Sequence, residues 1–421
     1  MTEEHDHSHY HGVDKAEEHL SVDEAVKLLL ESIIPVGQEL VSTFKANGRV
    51  LFEDVKSPID LPRRPRSTRD GYAVKVTEDT EPGRSFKVIG DVRIGTIPKI
   101  VVKDGEAVRV ATGSYMPKRA NAVIMVEYVK VHEKELLANK AIKVHDNILS
   151  PGEDMTKGQL LLSKGARIHP HHLSLFSMLG IRKVKVFSKP KIAFFSTGDE
   201  LIDTSKPLLK NNPAGVYEAT RPFLASMISN LGGIPVDLGI ARDNFAQIKS
   251  KMIKGLKYDA LILSAGSSVG ERDFVTSAAL SISGVKILDH GVAMRPSSPT
   301  GIASFNGKPL LLLPGFPTSA IISFFVFGSP AILKLSGNAI LQPTTIKARL
   351  VEDYNGKAGL THFVRVSVIK ENGEYKATNT RPTDAQYSSW LHIANGVAII
   401  DEKGIARKDE MVDVFLIAEI P

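Results

Sequence analysis

The chain has 421 residues, of which 43% are hydrophobic and 24% charged, and its formal net charge is +6 at pH 7. A chain of this length is too long to fold around a single hydrophobic core, and the length suggests roughly three domains. The sequence contains no cysteine, which excludes disulfides and thiolate metal sites. The positive charge fits anionic ligands, but no dense Lys/Arg tract with interleaved aromatic residues points to nucleic acid.

Residues 1–19 are predicted to form a disordered, His-rich tail. Its histidines recur at every second position among acidic and other polar residues; they are His5, His7, His9 and His11. The segment has almost no apolar residue with which to form a core. A solvated tail is the favoured interpretation, and loose binding of a transition metal is the alternative.

Neither a secretory signal nor a membrane span is expected. The first residues are acidic and polar, and the longest apolar run, around Ile321 to Leu335, is interrupted by Ser, Gly and Pro. Together with the missing cysteines, this predicts a cytoplasmic protein.

An N-terminal or linker domain is expected in two pieces, residues 20–58 and 147–189. Ser21 and Glu24 form a capping box, which starts an amphipathic helix that Pro35 should end. A second helix is expected from Pro170. The neighbouring His169, His171 and His172 could ligate metal, but their spacing does not share one helical face, so a structural role is favoured.

Residues 59–146 are predicted to form a small β domain. The Pro- and Arg-rich stretch from Ser57 to Val74 leads into it, either as a solvated linker or as a segment facing an anion or a partner. Alternating runs then predict strands in "FKVIGDVRIG", "EAVRVATG", "AVIMVEYVKV" and "AIKVH".

Residues 190–336 alternate strand-like and helical runs, which predicts a doubly wound α/β domain with a parallel sheet. The expected strands are Ile192 to Phe195, Ile234 to Ile240, Ala260 to Leu263, Val285 to Asp289 and Leu310 to Leu313. The expected helices are Ala219 to Leu231, Phe245 to Leu256 and Phe274 to Ser281. Residues 340–421 are predicted to form an antiparallel, barrel-like β domain with a hairpin at Asn372-Gly373.

Polar side chains follow most strands of the α/β section. Asp199 and Glu200 follow the first strand and Asp243 follows the second. The third ends in a Ser/Gly-rich loop that can cradle an anion and that leads to Asp273. Ligands bind beyond the carboxyl ends of such strands, and Mg²⁺ commonly bridges carboxylates and phosphates. The residues therefore predict a metal-assisted enzyme acting on a phosphorylated or pyrophosphate ligand, against the alternative of solvated loop acids.

From about Ser21 to Pro421 the chain resembles the molybdopterin molybdenumtransferase family, known as MoeA and as the E domain of gephyrin. The resemblance rests on the motifs "RDGYA", "ATGSYMP", "PGED", "STGDEL", "ARD", "SAGSSVGERDF", "LPGFPTSA", "HFVRV" and "SSWLHIANG" in that order. It implies a homodimer that inserts molybdate into adenylylated molybdopterin with Mg²⁺ and releases AMP. An adenylyltransferase partner and use of tungstate instead of molybdate are further hypotheses, and no nucleic acid or membrane partner is expected.

The resemblance also implies roles for individual residues. The acidic, catalytic positions would be Asp70, Asp154, Asp199, Glu200, Asp243 and Asp273, of which Glu200, Asp243 and Asp273 would hold the metal. The pterin substrate would be held by Thr112, Ser196, Thr197, Gly198, Gly266, Ser267, Ser268, Gly270, Arg295, Pro314, Gly315 and Pro317.

Three positions depart from the family pattern. Ala265-Gly266 stands for a Gly-Gly pair, Glu218-Ala219-Thr220 for Asp-Ser-Asn, and the loop from Arg295 to Pro299 has serine where the family has a second cation. Loss of that cation weakens attraction to an anion. The alternatives are therefore a divergent paralogue with weak activity, a molybdopterin-binding scaffold, or a molybdopterin adenylyltransferase.

Overall fold

The computed structural model describes residues 19–205, 214–265, 274–341, 345–380 and 387–420, so the tail with His5, His7, His9 and His11 lies outside them. Helix α1 (Val22–Glu31) starts with the expected capping box: Glu24 N donates to Ser21 Oγ at 3.3 Å, and Ser21 N donates to the Glu24 carboxylate at 3.1 Å. The helix ends before Pro35. Its apolar face packs into the core of the α/β section.

The first nine strands, in chain order, are β1 (Gln38–Ser42), β2 (Val55–Lys56), β3 (Arg66–Ser67), β4 (Gly71–Val74), β5 (Ser85–Asp91), β6 (Glu106–Val110), β7 (Ala122–Met125), β8 (Val129–His132) and β9 (Glu135–Ala138). The last six of them form a sheet of order β7-β4-β6-β5-β9-β8 in the small β domain. The expected strand "AIKVH" is wrong. The Asp146 carboxylate accepts from Lys143 N and that of Asp79 from Val144 N, so these amides are not free for a ladder.

After β9 the chain returns to the strands of its N-terminal section. The elements are β10 (Ile148–Leu149), β11 (Leu160–Leu162), α2 (Pro170–Met178) and β12 (Lys183–Phe187). Each of the three strands pairs antiparallel with an early one: β10 with β3, β11 with β2 and β12 with β1. Strands β11 and β12 therefore join residues 147–189 to residues 20–58, whereas β10 pairs with β3 inside the stretch 59–146. The division into domains stays a prediction.

The α/β section is built on a sheet of order β16-β13-β17-β21-β20-β18. Its elements are β13 (Lys191–Thr197), β14 (Leu201–Ile202), β15 (Val216–Tyr217), α3 (Thr220–Asn230), β16 (Ile234–Ala241), α4 (Phe245–Gly255), β17 (Ala260–Ala265), α5 (Phe274–Leu280), β18 (Val285–His290), β19 (Met294–Arg295), β20 (Gly301–Phe305), β21 (Lys308–Pro314), α6 (Pro317–Ser323) and α7 (Ser329–Leu335). Strands β16, β13, β17 and β21 are parallel, but β20 runs antiparallel to both its neighbours. The sheet is thus mixed rather than wholly parallel.

Both faces of this sheet are covered by helices, as predicted. Successive side chains of a strand point to opposite faces. Ile192 and Phe194 pack on one side with α3, α6 and α7, and Ala193 and Phe195 pack on the other with α4 and α5. The carboxyl ends of β13, β16 and β17 are thereby held at one common edge.

The helical stretch Pro317–Leu335 is continuous through a π-helical segment at Phe324–Gly328. Ser, Gly and Pro interrupt the apolar run in the sequence but do not interrupt the helix, in which only Gly328 belongs to the π-helical segment. A Cβ on Gly328 would come within 2.6 Å of the Phe324 ring, so glycine permits the close packing. The stretch is 19 residues long and apolar enough to span a membrane, but most of it is buried within the protein, as in a core helix.

The C-terminal section forms a closed five-stranded barrel in the described residues, ordered β24-β25-β22-β28-β26 and back to β24. Its strands are β22 (Thr345–Leu350), β23 (Tyr354–Asn355), β24 (Thr361–Glu371), β25 (Glu374–Asn379), β26 (Gly396–Ile400), β27 (Ile405–Ala406) and β28 (Met411–Leu416). The hairpin at Asn372-Gly373 is confirmed, with φ of 52° and 85°. The barrel is not entirely antiparallel, because β22 pairs parallel with β25.

Candidate functional site

The carboxyl end of β13 is tied to the carboxyl end of β16 through the acidic side chains. The buried hydroxyl of Thr197 donates to Asp243 Oδ1 at 2.6 Å. The backbone N–H of Asp243 in turn donates to Asp199 Oδ1 at 3.3 Å. Both carboxylates are exposed at the sheet edge. Two separate strand ends therefore present a joined pair of carboxylates to solvent.

The backbone of the turn that carries Asp199 and Glu200 is held by hydrogen bonds to the end of β16 and to the residue that follows it. Gly198 N donates to Ala241 O at 3.2 Å, and Arg242 Nη1 donates to the Asp199 carbonyl at 2.6 Å. A Cβ on Gly198 would lie 2.7 Å from Glu200 Oε2, so a larger residue would displace that carboxylate. Arg242 is not among the site residues expected from the sequence. Its position directly before Asp243 is the available signal.

A buried carboxylate lies beneath this edge. Glu218, only 3% exposed, accepts from Ser196 Oγ at 2.8 Å, from Thr220 N at 2.9 Å and from Arg221 N at 3.0 Å. The carboxylate thus satisfies free N–H groups at the start of α3, where a negative charge is favourable. Glu218, one of the departures from the family pattern, is therefore a helix cap that also fixes Ser196.

Arg221 braces the segment that follows Glu200. Its guanidinium donates to Asp203 at 2.9 Å and to both carboxylate oxygens of Asp237 at 2.9 and 2.5 Å. Hydrogen bonds from the Ser205 hydroxyl and from Arg221 lower the pKa of Asp203. The bond to Asp237 raises the pKa of Arg221 above its already high ordinary value. This network anchors β14 and its loop to α3 and β16.

The loop after β17 falls outside the described residues. Gly266, Ser267, Ser268, Gly270 and Asp273 all belong to it, so their expected roles stay predictions. At its start, Ser264 Oγ donates to the carbonyl of Pro314 at 3.3 Å, which joins the ends of β17 and β21. Pro314 is buried, Gly315 is exposed, and Pro317 begins α6.

The segment after β19 turns sharply against α6. Ser297 has φ of 88°, a conformation that favours glycine, and its hydroxyl donates to Ser319 O at 2.8 Å. Arg295 is exposed next to the barrel, where it pairs in register with His362 of β24. The loop thus keeps one cation, Arg295, while Ser298 occupies the position at which the resemblance implies a second.

The expected residues of the β domain form a separate group. Asp70 Oδ1 accepts from Thr112 N at 2.7 Å and from Thr112 Oγ1 at 3.2 Å, which links the loop before β4 to the one after β6. Asp154 lies exposed in the returning segment, where its N–H donates to Leu61 O at 3.1 Å. Among the described residues, no hydrogen bond or ion pair joins these three residues to Asp199 or Asp243.

The histidines at the start of α2 lie close together. His169 N donates to His172 Nδ1 at 3.0 Å, so His172 caps the helix, and the ring centroids of His171 and His172 are 4.0 Å apart. Burial and the neighbouring His171 and His169 lower the pKa of His172. Within the part of the chain that the structure describes, no three or more His, Asp or Glu side chains are arranged to hold a metal ion.

Most of the chain matches models of known protein families. Three family models match: the MoeA N-terminal region (domains I and II) at residues 20–180, the probable molybdopterin-binding domain at 193–334, and the MoeA C-terminal region (domain IV) at 347–417. The molybdopterin molybdenumtransferase of Staphylococcus epidermidis is 30% identical over 355 residues, 82% of this chain and 83% of that protein.

Archaeal proteins give similar results. A protein named for molybdopterin biosynthesis in Methanocaldococcus jannaschii is 30% identical over 90% of this chain and 92% of its own length. The crystal structure of the molybdopterin biosynthesis MoeA protein of Pyrococcus horikoshii superposes with a TM-score of 0.83 at 31% identity, over 95% of this chain and 99% of that chain. The chain therefore belongs to the molybdopterin molybdenumtransferase (MoeA) family, whose enzymes act in molybdenum cofactor biosynthesis.

Proposed function

We propose that the protein inserts molybdate, or tungstate, into adenylylated molybdopterin and releases AMP. The observation that carries the proposal is the joined pair of carboxylates at the sheet edge, in which Asp243 is held by Thr197 and by its own N–H to Asp199. In an open α/β sheet this edge is where ligands bind. Members of the family that this chain resembles are named for the transfer of molybdenum.

The bond broken in this reaction is a P–O bond of the pyrophosphate bridge between the pterin and AMP. Water supplies the oxygen of the new P–O bond, so this cleavage yields AMP and the pterin phosphate. Metal insertion is a separate exchange, in which the two sulfur atoms of the pterin dithiol replace two oxide ligands of molybdate or tungstate. The two oxides leave as water with two protons from the thiols and two from solvent, and the oxidation state of the metal does not change. The fixed groups at the site have to place the pyrophosphate and hold its charge, which is how such reactions are accelerated. Ser196, Thr197 and Gly198 are proposed to contact the substrate, together with Arg295, the cation that the loop from Arg295 to Pro299 retains.

Magnesium is part of the proposal. The carboxylates of Glu200 and Asp243 are exposed oxygen ligands on adjacent loops, which suits Mg²⁺, an ion that retains several waters and takes few protein ligands. Asp273, outside the described residues, would be the third. The ion, when bound, would neutralise charge on the pyrophosphate oxygens. Asp199 has a different part, because its Oδ1 already accepts from Asp243 N and so positions that residue.

A homodimer would explain why the acidic residues lie in two groups. Asp70, Thr112 and Asp154 are then proposed to approach the α/β site of the other subunit. Large apolar side chains are exposed on the N-terminal body, with Phe44 at 91%, Met178 at 63% and Leu40 at 58%, and the Phe44 turn packs against α2. Apolar surface of this kind marks protein interfaces. An adenylyltransferase that delivers the substrate is a further proposed partner, and the cytoplasm is the proposed location.

AMP release in a single turnover tests the proposal. Purified protein is mixed with adenylylated molybdopterin, Mg²⁺ and molybdate or tungstate, and AMP is quantified. Asp243→Asn should slow release by at least about tenfold, since the loss of one fixed charge costs roughly 1.4 kcal/mol or more of transition-state stabilisation. Asp91→Asn, at an exposed position at the end of β5, is the matched control and should behave as wild type. No AMP release by the wild-type protein with either oxyanion would refute the proposed reaction.

A further inference from the structure

A cleft lies at the opposite end of the central sheet from the proposed active site. It has a volume of about 190 Å³, more than ten times the roughly 10–15 Å³ that one water molecule needs. Its walls come from the end of α3 and from the connection between β12 and β13, including Ser188 and Lys189. These segments precede β13 and β16, whereas Asp199 and Asp243 follow the same strands. The seven residues of β13 separate the two places by about 20 Å.

The charged residues that line this cleft are all basic. Arg49, Arg167 and Lys189 contribute to its walls, and no Asp or Glu lies among its lining residues. Arg49 is fixed, because its guanidinium bonds Glu39 Oε1 at 2.5 Å and Phe187 O at 2.8 Å. Arg167 and Lys189 form no ion pair with any described residue. Like charges gathered in one cleft repel each other unless an anion lies between them.

Local negative charge does not fully offset these cations. Glu39 balances one of the three positive charges. Helices α3 and α7 end at the cleft, since Leu231 and Ser336 are their C-caps and both line it. Each helix end carries about half a negative charge. With three cations against Glu39 and two helix ends, about one positive charge remains for a ligand.

We propose that this cleft binds a tetrahedral oxyanion, either free or as the phosphate group of a small metabolite. The excess positive charge supplies the attraction, and the neutral side chains of Asn47, Ser188 and Asn230 supply hydrogen-bond donors. Because the walls come from the N-terminal body and from the α/β domain, a bound anion joins the two. Its binding therefore stabilises the relative position of these domains, away from the reacting groups.

Calorimetric titration with inorganic phosphate and with glycerol 3-phosphate tests this site, using the full chain. The wild-type protein should bind phosphate saturably, and thermal unfolding should shift upward with phosphate concentration. Tighter binding of glycerol 3-phosphate than of inorganic phosphate assigns the site to a metabolite, and equal binding assigns it to the free anion. Saturable binding by neither would overturn the proposal.

Paired variants locate the binding. Arg167→Gln with Lys189→Gln should weaken phosphate binding at least tenfold, whereas Arg182→Gln with Lys183→Gln removes the same charge from exposed positions that do not line the cleft and should leave binding intact. Lys189→Gln alone should weaken phosphate binding by less than the double change does. Because Lys189 is exposed, this variant should keep its fold. Asp243→Asn should bind phosphate as wild type does. Binding that survives the Arg167 and Lys189 changes, or that Asp243→Asn alters, would place the anion elsewhere.

Discussion

Replacement of Thr197 by valine isolates the bond that orients Asp243. Thr197 is 4% exposed, and its hydroxyl donates to Asp243 Oδ1 at 2.6 Å. Valine keeps the branched shape but removes the donor. The exposed Asp243 carboxylate can then be hydrated, so we expect the fold to lose less than about 1 kcal/mol of unfolding free energy.

The expected effect on the reaction is larger. A hydrogen bond to a charged group contributes about 1.5–3 kcal/mol, and hydration of the freed carboxylate recovers part of it. A net loss near 1.4 kcal/mol of transition-state stabilisation corresponds to about a tenfold fall in kcat/KM. The fall should occur mainly in kcat, because a reoriented Asp243 affects the reacting pyrophosphate more than substrate contacts elsewhere.

The assay is steady-state AMP release from adenylylated molybdopterin, with urea unfolding of each variant alongside. Thr197→Ser keeps the hydroxyl and serves as the matched control, with kcat/KM within about twofold of wild type. Wild-type activity in Thr197→Val would refute the reasoning, because Asp243 would then need no fixed orientation. A loss shared equally by Thr197→Ser would point to packing rather than to the hydrogen bond.

Three further predictions concern stability. Glu218→Ala should lower the unfolding free energy by about 3 kcal/mol, because it removes the cap of α3 and leaves the buried Ser196 hydroxyl unpaired. Glu218→Gln should lower it by less than half as much, and equal losses in the two variants would mean that the carboxylate is not the cap. Burial lowers the pKa of His362, so the unfolded chain takes up a proton more readily, and stability should fall as pH drops from 7.5 to 5.5; a His362→Gln variant with an undiminished fall would contradict this. Asn395→Ala should cost about 2–4 kcal/mol in urea unfolding, because Val368 N (2.6 Å) and Val368 O (2.8 Å) both lose the Asn395 side chain, and a change below 1 kcal/mol would show that water replaces it.

The main elements of the α/β section follow from sequence because its strands are long apolar runs separated by periodic helices. Strand β20 (Gly301–Phe305) is not predicted by this pattern, since it is short and carries little alternation. Its signal is the Asn306-Gly307 pair, where φ is 51° and 77°, the same turn chemistry that locates the barrel hairpin. The π-helical segment inside Pro317–Leu335 cannot be predicted locally, because it depends on how the phenylalanines pack rather than on local propensity.

Part of the candidate site can be placed from sequence and part cannot. Asp199 and Asp243 are expected together because neighbouring parallel strands end at one edge, and the structure joins them through Asp243 N. The buried role of Glu218 does not follow from a motif, since it depends on the distance between β13 and the start of α3. The same holds for the bond from Arg242 to the Asp199 carbonyl, which forms only once the two loops are folded.

Quantifying two products of the same reaction tests the proposed transfer of molybdenum or tungsten most stringently. Wild-type protein is incubated with adenylylated molybdopterin, Mg²⁺ and either molybdate or tungstate, and both the AMP released and the metal retained on the pterin are quantified. We expect equal amounts of AMP and of pterin-bound molybdenum or tungsten, with a rate that depends on Mg²⁺. AMP formation without metal on the pterin, or no AMP with either oxyanion, would contradict the proposed reaction.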